Sequence, residues 1–86
     1  MDISASFGER LRAKRTDRGW TLKKLAGRSE IHWTYLGQVE RGQRNVSLHT
    51  IVRLAEALGI DPGALVVGLR VQPDARGREA TGDALG

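Results

Sequence analysis

Thr21-Leu22-Lys23-Lys24-Leu25-Ala26-Gly27-Arg28-Ser29-Glu30-Ile31-His32-Trp33-Thr34-Tyr35-Leu36-Gly37-Gln38-Val39-Glu40-Arg41-Gly42 is the stretch that decides the fold. Thr21 stands at an N-cap position, and Leu22, Leu25 and Ala26 then share one side of a helix of about two turns. Glu30-Ile31-His32 reads as a short connection. Trp33 to Arg41 is a second helix with Leu36 and Val39 turned inward, closed by Gly42 in the left-handed conformation that glycine tolerates best.

Outward from this pair, further helices follow. Upstream, Ile3, Phe7 and Leu11 recur at i, i+4 and i+8, one stripe of an amphipathic helix that ends at Gly19. Asp2 or Ser4 can cap it, and Ser6 with Glu9 matches a capping box one turn later. Downstream, Gln43 to Val46 is a polar loop, and Ser47 caps the clearest stripe in the chain: Leu48, Ile51, Leu54, Ala55 and Leu58, stopped by Gly59. Asp61-Pro62 is a cap followed by proline at the first helical position, opening a short fifth helix over about 62–67. Only Leu69 to Gln72 has any strand character, and it is too short to pair alone. Residues 73–86 hold Pro73, three glycines and a single large apolar side chain, Leu85, too little to bury a core. The expectation is an all-α, compact five-helix domain over residues 1–69 with a flexible tail over 70–86.

Composition narrows the function classes. Eighty-six residues allow one small domain, and the absence of cysteine excludes disulfides, thiolate metal sites and cysteine nucleophiles. No apolar run is long enough to span a membrane and the N-terminus lacks a signal-peptide pattern, so a cytoplasmic location is expected. His32 and His49 have no ligand spacing, and no nucleophile–base set, paired carboxylates or phosphate-cradling loop is present. Neither a metal, a cofactor nor an enzyme is therefore expected. Residues 1–28 carry a net +5, leaving −1 for the remaining 58. That asymmetry fits a polyanionic partner or a solvated, arginine-rich helix face, and composition does not choose between them.

Two short helices joined by a tight turn, the second beginning with polar and aromatic side chains, describe a helix-turn-helix. Leu25-Ala26, the run Ile31 to Leu36, Val39-Glu40-Arg41-Gly42, Asn45 and Ser47-Leu48 resemble the Cro/phage-repressor (XRE-type) helix-turn-helix family, and Arg53 to Ile60 is similar to that family's fourth helix. The likeness covers about residues 4–67, and its Glu-Arg-Gly-x-Arg-Asn-x-Ser-Leu run looks most like small stand-alone regulators, including restriction–modification controller proteins. It implies a lambda-repressor-like fold and a transcriptional regulator that binds a palindromic DNA operator as a homodimer.

By that resemblance Trp33, Thr34, Gly37 and Gln38 face base edges, and Lys23, Tyr35, Arg41, Arg44 and Asn45 meet phosphates, with the first-turn N–H groups of helices two and four. Plainer alternatives stand beside these roles. Trp33 can be a partly buried core or interface residue, Thr34 and Gln38 solvent-facing, and Gly37 a packing glycine. Arg15 and Glu40 are implied as a pair tying the first helix to the recognition helix. The chain departs from the family at Leu22, where a phosphate-holding glutamine is usual, and at Glu30, where the turn usually has glycine. Leu65, Val66, Val67 and Leu69 offer an apolar strip for self-association, or Leu65 simply closes the core. An alternative of another class is a DNA-binding antitoxin, or a protein-interaction module, that engages a toxin or other partner through residues 73–86.

Overall fold

Asp2, Thr21, His32 and Ser47 each begin a helix by accepting a hydrogen bond from a backbone N–H one turn in: Ala5 at 2.8 Å, and Lys24, Thr34 and Thr50 at 3.1 Å each. The computed structural model describes residues 2–71. Five helices follow one another: α1 Ile3–Asp17, α2 Leu22–Ser29, α3 Trp33–Glu40, α4 Leu48–Leu58 and α5 Gly63–Val66. Because Asp2 already caps α1, Ser6 lies inside the helix, its N–H donating to the Asp2 carbonyl at 3.0 Å, and no capping box forms with Glu9. Pro62 precedes α5, and the Asp61 carboxylate accepts from the Gly63 N–H at 3.0 Å. Residues 69–71 are not strand. The expected tail falls, beyond Val71, outside the described residues.

The core is small: α1, α3 and α4 enter it through two or three positions each, α2 and α5 through one. Phe7 and Leu11 of α1, Leu25 of α2, Leu36 and Val39 of α3, Leu54, Ala55 and Leu58 of α4, and Leu65 of α5 are buried. The apolar stripes overrun this core at their N-terminal ends. Leu48 is 76% exposed and Ile3 sits at the surface. α1 packs on α3 and α5, while α4 packs on α2.

Two glycines permit close approaches. A Cβ on Gly8 would meet the carbonyl oxygens of Val39 and Glu40, the latter at 2.6 Å, so α1 crosses directly over the C-terminal turn of α3. Gly42, at φ 78°, ends α3 with its own Cβ position 2.8 Å from the Ala5 Cα. Any side chain there would strain the backbone and push the loop from α1.

Candidate nucleic-acid interface

The turn between α2 and α3 keeps its tight geometry without glycine. Glu30 adopts φ 60° and ψ 35°, and its N–H donates to the Ala26 carbonyl at 2.7 Å. A left-handed non-glycine residue carries a conformational cost of roughly 1–2 kcal/mol. The Glu30 carboxylate turns toward α4 and accepts from Arg53 at 3.2 Å, an exposed pair. Leu22, in place of the usual glutamine, is half-buried, and its Cδ1 lies 3.7 Å from the Cβ position of Gly37. At this point an apolar contact between α2 and α3 takes the place of the polar side chain usual in the family.

Helical spacing puts Trp33, Thr34, Gly37, Gln38 and Arg41 on the face of α3 opposite Leu36 and Val39. Trp33 is 44% exposed, with its ring stacked on His32 and the Lys23 ammonium 5.3 Å from its centroid. Thr34 is exposed, its hydroxyl 2.8 Å from His32 Nδ1. Gly37 is buried because the Arg41 guanidinium folds back over it, with Nη1 3.2 Å from where a Cβ would be. The cation of Arg41 thus sits over the middle of the face rather than beyond its end. Gln38 Oε1 accepts from Arg44 Nε at 2.8 Å, and the Arg44 guanidinium lies 5.7 Å from the Tyr35 ring centre. Asn45 is exposed in the following loop. The structure thus brings Lys23 to Trp33, Arg41 to Gly37, and Arg44 to both Tyr35 and Gln38, so that Gln38 and Arg44, expected in separate roles, are in contact.

Behind that face, Arg15 and Glu40 form a two-pronged pair. Nε donates to Glu40 Oε2 at 2.7 Å, Nη2 to Oε1 at 2.9 Å, and the remaining Nη1 to the Trp20 carbonyl at 2.7 Å. Side-chain exposures of 12% and 6% make it a largely desolvated pair whose polar atoms are all satisfied. The Arg15 guanidinium is pushed above its ordinary pKa, chiefly by the hydrogen bond it donates to Glu40, against an opposing effect of burial.

Of the apolar strip, Leu65 is 0% exposed and belongs to the core, so it has no surface to offer a second chain; this corrects its expected place. Val66 and Val67 are exposed, and Val66 with Ile3, Val46, Ile51 and Leu69 edges a largely apolar groove between α1, α4 and α5, which Arg44 and Asn45 also line.

Two arrangements went unforeseen. Arg10 reaches from α1 to donate to the carbonyls of Ala64 at 3.0 Å and Val67 at 2.8 Å, closing the C-terminal end of α5. Trp20 packs against the core and is ringed by Arg18, Lys24 and Arg28. Its position immediately before the Thr21 cap, with Leu25 four residues past that cap, is the hydrophobic-staple pattern that would have placed it.

Residues 6–69 match the family model described as a helix-turn-helix domain. The control protein C.BamHI of Bacillus amyloliquefaciens is 38% identical over 66 residues, spanning 76% of this chain and 82% of the relative. The control protein C.SmaI of Serratia marcescens is 43% identical over 58 residues, 67% of this chain and 69% of the relative. Among solved structures, the restriction–modification controller protein C.AhdI from Aeromonas hydrophila superimposes with a TM-score of 0.71 at 50% identity, covering 72% of this chain and 94% of that one.

Proposed function

The chain belongs to the helix-turn-helix domain family of DNA-binding transcriptional regulators, and from that premise we propose that it binds a palindromic operator sequence-specifically, as a homodimer of the controller-protein kind. The observation that carries the reading is the outward face of α3: Trp33, Thr34, Gln38 and Arg41 lie together on a helix tied from behind to α1. A single helix fits the major groove, about 12 Å wide. There Gln38 pairs with adenine N6 and N7, Thr34 takes a hydrogen bond or a thymine methyl, and Trp33 makes apolar contact. Lys23, Tyr35, Arg41, Arg44 and Asn45 meet the backbone.

One such domain contacts few base pairs, and two half-sites a helical turn apart, about 34 Å, restore selectivity. Val66, Val67 and Leu69, joined by Ile3, supply the self-complementary patch. Residues 73–86, on which the antitoxin alternative depends, lie outside the described residues, and no observation favours that reading.

Selection of bound duplexes from a random library, with sedimentation of the free protein and the complex, tests this. The expected result is an inverted-repeat consensus bound by two chains, with log K falling against log salt at a slope of about −5 to −9. Equal affinity for every duplex, or one chain per site at saturation, overturns it.

A further inference from the structure

Trp20 stands at the corner between α1 and α2, and three cations converge on its indole: Arg18 at 5.1 Å, Arg28 at 5.4 Å and Lys24 at 5.9 Å from the ring centroid. All three side chains are exposed, and none pairs with a carboxylate among the described residues, whose ion pairs are Arg15–Glu40 and Arg53–Glu30. The platform is fixed from below, because Trp20 packs on the core and its carbonyl accepts from Arg15 at 2.7 Å. Three like charges gathered on one anchored ring repel one another and call for an anionic partner. We infer that Arg18, Lys24 and Arg28, held around Trp20, bind the phosphate backbone of DNA outside the half-site that α3 reads.

Two features select DNA over an acidic protein. The cluster and the α3 face share α2, whose consecutive first-turn lysines divide between two indoles: Lys23 lies 5.3 Å from Trp33, and Lys24 covers Trp20. A backbone held at Lys23 therefore passes the helix that carries Lys24 and Arg28. The cluster also sits at the far end of the domain from the apolar patch. Ile3 and Arg18 mark opposite ends of α1, about 22 Å apart at the helical rise of 1.5 Å per residue. If copies join through that patch, the Trp20 corners point outward along the duplex, to flanking phosphates rather than to the centre of the operator.

This inference rests on the operator-binding reading, and the test separates the two. The selected operator is prepared as two duplexes, one ending at the half-site boundaries and one extended by about a helical turn at each end. The expected result is tighter binding to the longer duplex, with a salt slope steeper by about 2 per bound chain, as for two further phosphates each. Arg18→Gln/Arg28→Gln is expected to lose that gain and keep wild-type affinity for the short duplex, and Lys24→Gln to lose part of it; melting curves matched to wild type accompany each variant. Binding to the short duplex with no flank effect in the wild type, as an acidic-protein surface would give, overturns the inference alone. So does equal weakening of both duplexes by the double variant. Failure to bind any duplex removes the operator reading and this inference together.

Discussion

The two faces of α3 are built on opposite rules. Toward α1 the helix presents Leu36, Val39 and Glu40, the first two fully buried and the third locked by two hydrogen bonds to Arg15. Outward it presents Trp33, Thr34, Gln38 and Arg41, whose contacts are exposed or half-exposed and involve only nearby segments. An ion pair taken out of water has to be satisfied completely, or the remaining charge is stranded. Side chains meant for a ligand gain by remaining incompletely satisfied. The difference teaches where a substitution should be felt: stability on one side, binding on the other.

Breaking the inward face should produce the largest effect. Arg15→Ala leaves Glu40 buried without its partner and Trp20 without its donor, at an expected cost of about 3–5 kcal/mol in urea unfolding. A cost below about 1 kcal/mol would class the pair with exposed ones and erase the contrast. The raised pKa of Arg15 carries a sign: its stabilisation is fully present below the unfolded value and is lost only as pH rises through the folded one. Raising pH through the neutral and mildly alkaline range should therefore leave this contribution intact.

The outward face sharpens the contrast through Gln38 and Arg44. Gln38→Ala should leave melting unchanged and cost about 1–3 kcal/mol per half-site on the preferred operator, much less on unrelated DNA. Arg44→Ala should weaken all duplexes and lower the salt slope by about one per half-site. Because Arg44 Nε donates to Gln38 Oε1, the two effects should not add: Arg44→Ala also frees the amide that reads the base. Additive losses in the double variant would mean that the two side chains act independently once DNA is bound.

Legibility in the sequence divides along the same line. Thr21, Ser47, Gly42 and Gly59 act through their own backbone neighbourhood, so their places at helix ends could be read from the chain alone. Leu36, Val39, Leu54 and Leu58 followed from periodicity, which also overreached at Leu48 because a stripe does not say where the neighbouring helix stops. The Arg15–Glu40 pair was reached by resemblance rather than by spacing, being 25 residues apart. Arg41 folded over Gly37, Arg44 on Gln38 and the cations around Trp20 depend on side-chain rotamers and on packing between elements, and no local pattern encodes them. Leu65 was ambiguous because a four-residue helix has too few positions to show a buried side.

The turn between the two helices separates conformation from charge. Glu30→Gly removes the left-handed penalty, less the extra freedom glycine gives the unfolded chain, and should stabilise the domain by up to about 1 kcal/mol. Glu30→Gln keeps the conformational cost and loses only an exposed pair with Arg53, so its melting should stay within about 0.5 kcal/mol of wild type. Stabilisation by Gln rather than Gly would show that the carboxylate, not the backbone, is the burden at this position.

Gly37 lies within the outward face of α3 yet is buried, and one substitution there should move stability and binding in opposite directions. The residue lies inside the helix with no positive φ, so Gly37→Ala gains helix propensity of about 0.5–1 kcal/mol. The added methyl would stand 3.7 Å from Leu22 Cδ1, an ordinary contact, but 3.2 Å from Arg41 Nη1. The end of a flexible arginine can give way at small cost, so folding should not suffer, while the cation now centred on the outward face must shift. The expected outcome is a higher melting temperature with a salt slope reduced by up to about one per half-site. A fall in stability would show that Arg41 cannot yield and is part of the packed structure. Unchanged affinity with raised stability would show that the place Arg41 takes over Gly37 is not the place from which it meets DNA.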